Sequence, residues 1–233
     1  MRPLSQGTPR RPDACAARRA RVDRRTRRSS TAAGTARLIG AIVAGGASTR
    51  FHGEPKGLHP VGGTRIIDRV ASALSTVTAE SILVANATDA AGWLPGVRVV
   101  SDVRPERGSL IGIHTALAVT NDDVIVVAWD MPFVSPGLLR YLVDASRAAS
   151  AVVPMGPRGP EPFCAVYTRA VLPIIEDSIV RGELRLTSLI ERLPRSVAIP
   201  LSEVARFGDP ARLFYNVNTA DDLAAAERMA RGN

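Results

Sequence analysis

Apolar residues along this chain alternate between two rhythms. Short, mainly apolar runs, of the kind that fill a strand buried on both faces, occupy residues 38–43, 81–85, 97–100, 124–128 and 151–154. Between them the apolar positions recur at helical spacing. Ile66, Ile67, Val70, Ala73 and Leu74 predict a helix over 64–74 that starts at Thr64. Further helices are predicted over 110–119, entered through Gly108-Ser109, and over 136–149. From Pro157 the texture changes to Gly/Pro turns, an extended segment at 162–167, and two shorter helical stretches around 170–179 and 186–192. The chain finishes with the segment 214–219 and a helix from Ala220 to about Ala230, with Thr219 as its N-cap and Asp221 and Asp222 in its first turn.

Alternating strands and helices imply an α/β fold with a mostly parallel sheet covered by helices on both faces. In such sheets ligands bind beyond the carboxyl ends of the strands. Four polar features fall there: the loop 44–57 after the first strand, Asn86, Asp102 and Asp130.

The loop reads Ala44-Gly45-Gly46-Ala47-Ser48-Thr49-Arg50-Phe51-His52-Gly53-Glu54-Pro55-Lys56-Gly57. Gly45 and Gly46 let the backbone approach a ligand and present N–H groups to an anion, and Arg50 and Lys56 would neutralise phosphate oxygens. Lys56 is the only lysine in a chain with 29 arginines. A compact ammonium differs from a planar guanidinium, so a site requiring the former would explain this exception to the arginine bias. The loop is neither a Walker A motif nor a GxGxxG fingerprint.

Asp130, followed by Met131-Pro132, offers a carboxylate suited to Mg²⁺ bound across a triphosphate; the competing reading is a helix cap ahead of Pro136. Asp102 would contact a base, a ribose or metal-bound water, or serve structure alone. Asn216 and Asn218 would face one side of a strand, or else act as turn asparagines bonding backbone. No Ser-His-Asp or Cys-His arrangement is evident, and His52, His59 and His114 lack metal spacing. Transfer of a phosphoryl or nucleotidyl group needs no covalent nucleophile, because positioning and electrostatics supply most of the acceleration.

Composition changes this picture at one end only. The formal net charge is +8, yet residues 1–37 hold eleven arginines against Asp13 and Asp23, and the remainder is slightly acidic. Residues 1–37 are therefore expected to be a disordered Arg-rich tail, and 38–233 a single domain. The tail reads either as an electrostatic binder of nucleic acid or an anionic surface, or as an inert extension; binding of nucleic acid by it is not expected. Two cysteines, Cys15 and Cys164, make no disulfide framework, so the expected location is the cytoplasm, and no apolar run is long enough for a membrane span.

The ordered set of motifs resembles the nucleotidyltransferases that open on a Leu-Ala-Gly-Gly or Leu-Ala-Ala-Gly loop, and within them the molybdenum cofactor guanylyltransferases of the MobA type. It runs from Val43-Ala44-Gly45-Gly46-x-Ser48-x-Arg50 to Lys56-Gly57-Leu58, then Gly62-Gly63, Asp102 and Gly108-x-Leu110-x-Gly112. Asp130-Met131-Pro132 and Asn216-Val217-Asn218-Thr219 complete it, so that it spans residues 38–230. The resemblance implies a three-layer α/β/α, Rossmann-like nucleotidyltransferase fold. It implies transfer of GMP from Mg·GTP to the terminal phosphate of molybdopterin with release of pyrophosphate. Molybdoenzymes or their chaperones would be the protein partners. By the same resemblance Val43, Ala44, Gly45, Gly46 and Ser48 line the nucleotide site and Lys56 holds phosphate. Arg50, Lys56 and Asp130 are the catalytic candidates, Asp130 the metal ligand, and Asn86 and Asp102 nucleotide contacts. Asn216 and Asn218 are the active-site asparagines. The chain departs from the family at Phe51-His52, where Met-Gly is usual, and at Pro55, where Asp is usual. The Gly45-Gly46 pair favours guanylyl over cytidylyl transfer. The alternatives are cytidylyl transfer to the pterin, a sugar-phosphate nucleotidyltransferase, and a non-catalytic nucleotide- or nucleic-acid-binding protein using the tail.

Overall fold

The computed structural model describes residues 37–45 and 55–232. The expected disordered tail, Arg37 apart, and the loop residues Gly46, Ser48, Arg50 and His52 lie outside the described residues. The strands are β1 Leu38–Ala44, β2 Pro60–Val61, β3 Thr64–Arg65, β4 Ser81–Ala85, β5 Arg98–Val100, β6 Asp123–Ala128, β7 Ala151–Gly156, β8 Gly159–Pro160, β9 Cys164–Tyr167 and β10 Ser196–Ile199. The helices are α1 Ile66–Ser75, α2 Ser109–Thr120, α3 Pro136–Ala145, α4 Leu172–Val180, α5 Leu186–Arg192, α6 Leu201–Val204, α7 Pro210–Leu213 and α8 Ala220–Ala230.

The main sheet runs β10-β7-β9-β6-β1-β4-β5, with β8 pairing β7. All neighbours along that path are parallel except those of β9, which lies antiparallel between β6 and β7. Alternate side chains divide between two apolar layers, as strand geometry requires. Ile42, Leu83 and Val127 pack with α1 and α3 on one face, while Val43, Val84 and Val126 pack with α2, α4 and α5 on the other. The three-layer α/β architecture with a mostly parallel sheet is therefore present.

Register decides where the site forms. Val43 pairs with both Val84 and Ala128, and Ala44 with Ala85, so the carboxyl ends of β1, β4 and β6 stop side by side. The residues that follow, Gly45, Asn86 and Asp130, emerge at one edge. Helix α2 is able to close against that edge because position 112 is glycine: a Cβ there would lie 2.6 Å from Val43 Cγ1.

Two expectations need correction, one open alternative is decided, and one strand left no trace in the sequence pattern. Thr64 does not begin a helix; Gly62 and Gly63, at φ 59° and 77°, close a two-residue hairpin, and Thr64 pairs back with Val61. This is the backbone combination that primed hairpin turns require, so α1 starts only at Ile66. The helix expected over 136–149 ends at Ala145 and tightens into a 3₁₀ turn at Ser146–Ala148. Residues 215–218 form no strand; Val217 N–H instead donates to the Asp130 carbonyl at 3.0 Å. Strand β10 escaped the hydrophobic pattern because it is an edge strand whose Val197 and Ala198 are exposed. The capping of α8 is as read: Thr219 Oγ1 accepts from Asp222 N–H at 3.1 Å and Asp222 Oδ2 accepts from Thr219 N–H at 2.9 Å.

Candidate active site

A cleft of about 1050 Å³ opens at the carboxyl ends of β1, β4 and β6. Its floor includes Val43, Ala44 and Gly45, and Asn86, Asp102, Asp130 and Asn216 reach it from four other segments. Such a volume matches those of small-molecule sites, and the strand-end position matches the general rule for open α/β sheets.

Asp130 leaves β6 one residue after Trp129 and is 7% exposed. Its Oδ2 forms an ion pair with Lys56 Nζ, which also donates to Asn218 Oδ1 at 2.8 Å. Asp130 Oδ1 is buried and, among the described residues, accepts no hydrogen bond. The helix-cap reading of Asp130 fails, because α3 is capped by Ser135, whose Oγ accepts from Leu138 N–H at 3.4 Å. Lys56 comes from a single 3₁₀ turn, Lys56–Leu58, closed by Leu58 N–H donating to the Pro55 carbonyl at 2.9 Å. That turn sits directly on Trp129: a Cβ on Gly57 would lie 2.4 Å from Trp129 Cε3. Trp129 in turn stacks on Trp93 with ring centroids 5.0 Å apart, and Trp93 Nε1 donates to Asp89 Oδ2 at 3.0 Å. The lysine is thus seated by a glycine on an indole that is itself backed by another.

On the other side of the cleft, Asn86 and Asp102 pair reciprocally. Asn86 Nδ2 donates to Asp102 Oδ2 at 2.7 Å, and Asp102 N–H donates to Asn86 Oδ1 at 2.8 Å. Thr115 Oγ1, from α2, donates to Asp102 Oδ1 at 3.2 Å. At the mouth, Arg104 is paired with Glu106.

Asn216 and Asn218 make different contacts. Asn218 holds Lys56, whereas Asn216 lines the cleft while its Nδ2 donates locally to the Phe214 carbonyl at 2.9 Å. His114 lies in α2, 4% exposed, with Nε2 3.7 Å from Glu176 Oε1; burial lowers its pKa and Glu176 opposes that shift. Sequence reasoning missed Trp129, Trp93 and Thr115. An indole and a hydroxyl inside apolar runs look like packing, and only Gly57, the small residue after the lysine, hinted at a close approach.

The chemistry of this arrangement is that of an anion-handling site. A buried carboxylate, one of whose oxygens has no partner among the described residues, adjoins an ammonium, and a second, oriented carboxylate lies across the cleft. Among the described residues, no group of three or more His, Cys, Asp and Glu side chains is placed to hold a metal by itself. No helix among them is long and apolar enough to cross a membrane.

Comparison with known proteins agrees with this geometry. The chain is 34% identical over 195 residues to a probable molybdenum cofactor guanylyltransferase of Pelotomaculum thermopropionicum, covering 83% of this chain and 94% of that protein. It is 36% identical over 193 residues to one from Pyrococcus furiosus, covering 80% and 94%. The fold superposes on molybdopterin-guanine dinucleotide biosynthesis protein A of Archaeoglobus fulgidus with a TM-score of 0.70 at 28% identity, covering 84% of this chain and all of that one. Residues 40–197 match the profile of the MobA-like NTP transferase domain, and the chain belongs to that family of nucleotidyltransferases.

Proposed function

We propose that this enzyme transfers GMP from GTP to the terminal phosphate of molybdopterin, releasing pyrophosphate and forming the guanine dinucleotide cofactor. The names of its relatives support the substrates. The observation in the molecule that carries the reading is the meeting of Lys56, Asp130 and Asn218 at the end of β6, with one Asp130 oxygen buried and unpartnered among the described residues.

In this reading an oxygen of the acceptor phosphate attacks the α-phosphorus of GTP. The bond from that phosphorus to the bridging oxygen breaks, and pyrophosphate leaves with the electron pair. Lys56 balances the charge of Asp130 in the free enzyme and neutralises phosphate charge in the complex. Asn218 fixes the ammonium at one point, so its orientation is set before the substrate arrives. Gly45 permits close approach of the nucleotide to the backbone, with Gly46, Ser48 and Arg50 completing the loop. Asn86 and Asp102 face the nucleotide across the cleft.

Asp130 fits a Mg²⁺ ion on the chemistry of its donor set. A buried carboxylate oxygen without a partner among the described residues is an available hard ligand, and Mg²⁺ commonly takes only one or two protein carboxylates and fills its shell with substrate phosphates and water. When bound, the metal supplies charge neutralisation on the triphosphate and the leaving pyrophosphate.

The test is thermal unfolding with each NTP, with and without Mg²⁺. A ligand that binds only the folded chain at 100 times its Kd stabilises it by about 2.7 kcal/mol. GTP with Mg²⁺ is expected to raise Tm selectively in the wild type, and Asp130→Asn to abolish the Mg²⁺-dependent part. A response to CTP alone would overturn guanylyl transfer.

A further inference from the structure

Thr115 is fully buried in α2, yet its hydroxyl is saturated by groups of the cleft rim rather than by its own helix. It accepts from Val103 N–H at 3.2 Å and donates to Asp102 Oδ1 at 3.2 Å. The direction is forced, because a carboxylate can only accept and the single hydroxyl hydrogen must therefore go to Asp102. Asp102 Oδ2 is taken by Asn86 Nδ2 at 2.7 Å, and its backbone N–H by Asn86 Oδ1 at 2.8 Å. Both carboxylate oxygens are thereby held by a donor on the protein side. Each keeps lone-pair capacity, and Asp102 itself lines the cleft.

A surface aspartate normally samples several rotamers, and ordering it on ligand binding lowers affinity. Here that ordering is complete beforehand. Asn86 alone would leave Oδ1 untethered, so the carboxylate plane could still turn about its terminal torsion, which is intrinsically broad. The Thr115 hydrogen bond removes that freedom. We infer that Thr115 is a positioning residue for the nucleotide: together with Asn86 it locks the Asp102 carboxylate in the orientation that accepts hydrogen bonds from the donor groups of the bound nucleotide. This rests on the function proposed above, and it assigns Asn86 an indirect share in nucleotide binding.

The experiment is a double-mutant cycle on GTP affinity, read by calorimetry with Mg·GTP on the full chain and by steady-state kinetics. Thr115→Val keeps the shape and removes the hydroxyl; it is expected to weaken GTP binding by about tenfold, the size associated with a hydrogen bond to a charged group. The rise should appear in KM for GTP, with KM for molybdopterin within about twofold of wild type. Thr115→Ser, which restores the hydroxyl, should recover wild-type affinity. In an Asp102→Ala background Thr115→Val should have no further effect, because nothing remains to be oriented. A merely structural role would instead weaken both substrates and persist without Asp102. Should Thr115→Val fail to fold, Thr115→Cys carries the same comparison, since a thiol is a weak donor of similar bulk. Wild-type affinity in the Val or Cys variant, or an undiminished effect in the Asp102→Ala background, overturns the inference. Failure of the wild type to bind GTP at all would instead overturn the function on which it rests.

Discussion

Replacing Gly57 by alanine tests whether Lys56 is seated by contact with Trp129. The added Cβ would lie 2.4 Å from Trp129 Cε3, 2.8 Å from Cδ2 and 3.1 Å from Cζ3. Ordinary carbon contacts begin near 3.5 Å, so the turn and the indole must separate by about 1 Å. Trp129 cannot retreat, because Trp93 stacks on it at 5.0 Å and both rings are buried. The turn moves instead and takes Lys56 with it. The bond to Asn218, 2.8 Å in the wild type, then lengthens to beyond hydrogen-bonding range, and the ion pair with Asp130 opens. Overpacking of this kind costs about 1–3 kcal/mol, and for a domain of this size each kcal/mol lowers Tm by about 2–4 °C. A displacement near 1 Å at a catalytic group is worth up to about 10²-fold in rate. The assay is thermal unfolding together with initial rates of pyrophosphate release. Gly92→Ala serves as the control, since a Cβ there meets no atom within 4 Å, and it should stay within about 0.5 kcal/mol of wild type. Wild-type rate and Tm in Gly57→Ala would refute the seating argument.

Lys56→Arg retains the charge but not the compact geometry that serves Asp130 and Asn218 together; kcat is expected to fall by at least about tenfold, and wild-type kinetics would show that any cation suffices. His114 has its pKa lowered, chiefly by burial, so it is neutral in the folded state where an unfolded chain would accept a proton. Stability is therefore complete above the unfolded value near 6.5 and declines as pH falls from there toward the folded value, and melts across pH 5–8 should show this slope flattened in His114→Gln. Cys164 is fully buried and its thiol is pushed up to about 12 by burial and by the nearby Glu161 charge. It should resist iodoacetamide in the native chain and react once unfolded, and labelling at equal rates in both states would contradict its burial.

Much of this architecture is legible in the pattern of apolar positions. The runs at 38–43, 81–85 and 124–128 correspond to β1, β4 and β6, because a strand covered on both faces must be apolar throughout. Asn86, Asp102 and Asp130 follow strands, and in an α/β sheet that position alone puts them on the ligand-binding edge. The errors have equally local causes. Thr64 was drawn into a hairpin by two glycines at positive φ, and β10 hides because half its residues face solvent. Residues 215–218 allowed a strand, but Tyr215 N–H goes to the Arg212 carbonyl, Val217 N–H to the Asp130 carbonyl and Asn218 N–H to the Asp222 carboxylate.

What the sequence by itself determined is therefore the alternation of elements, the fold class, and the polar residues that terminate the central strands. These depend on burial and backbone preference, which act over a few neighbouring residues and leave a periodic trace. What only the tertiary structure decided is the pairing of those residues. Lys56 reaches Asp130 across 74 positions and Asn218 across 162, Thr115 reaches Asp102 across 13, and Trp129 supports Gly57. Strand order and register create these contacts, and a hydrophobic rhythm that repeats the same way in every strand carries no record of which strand will lie beside which.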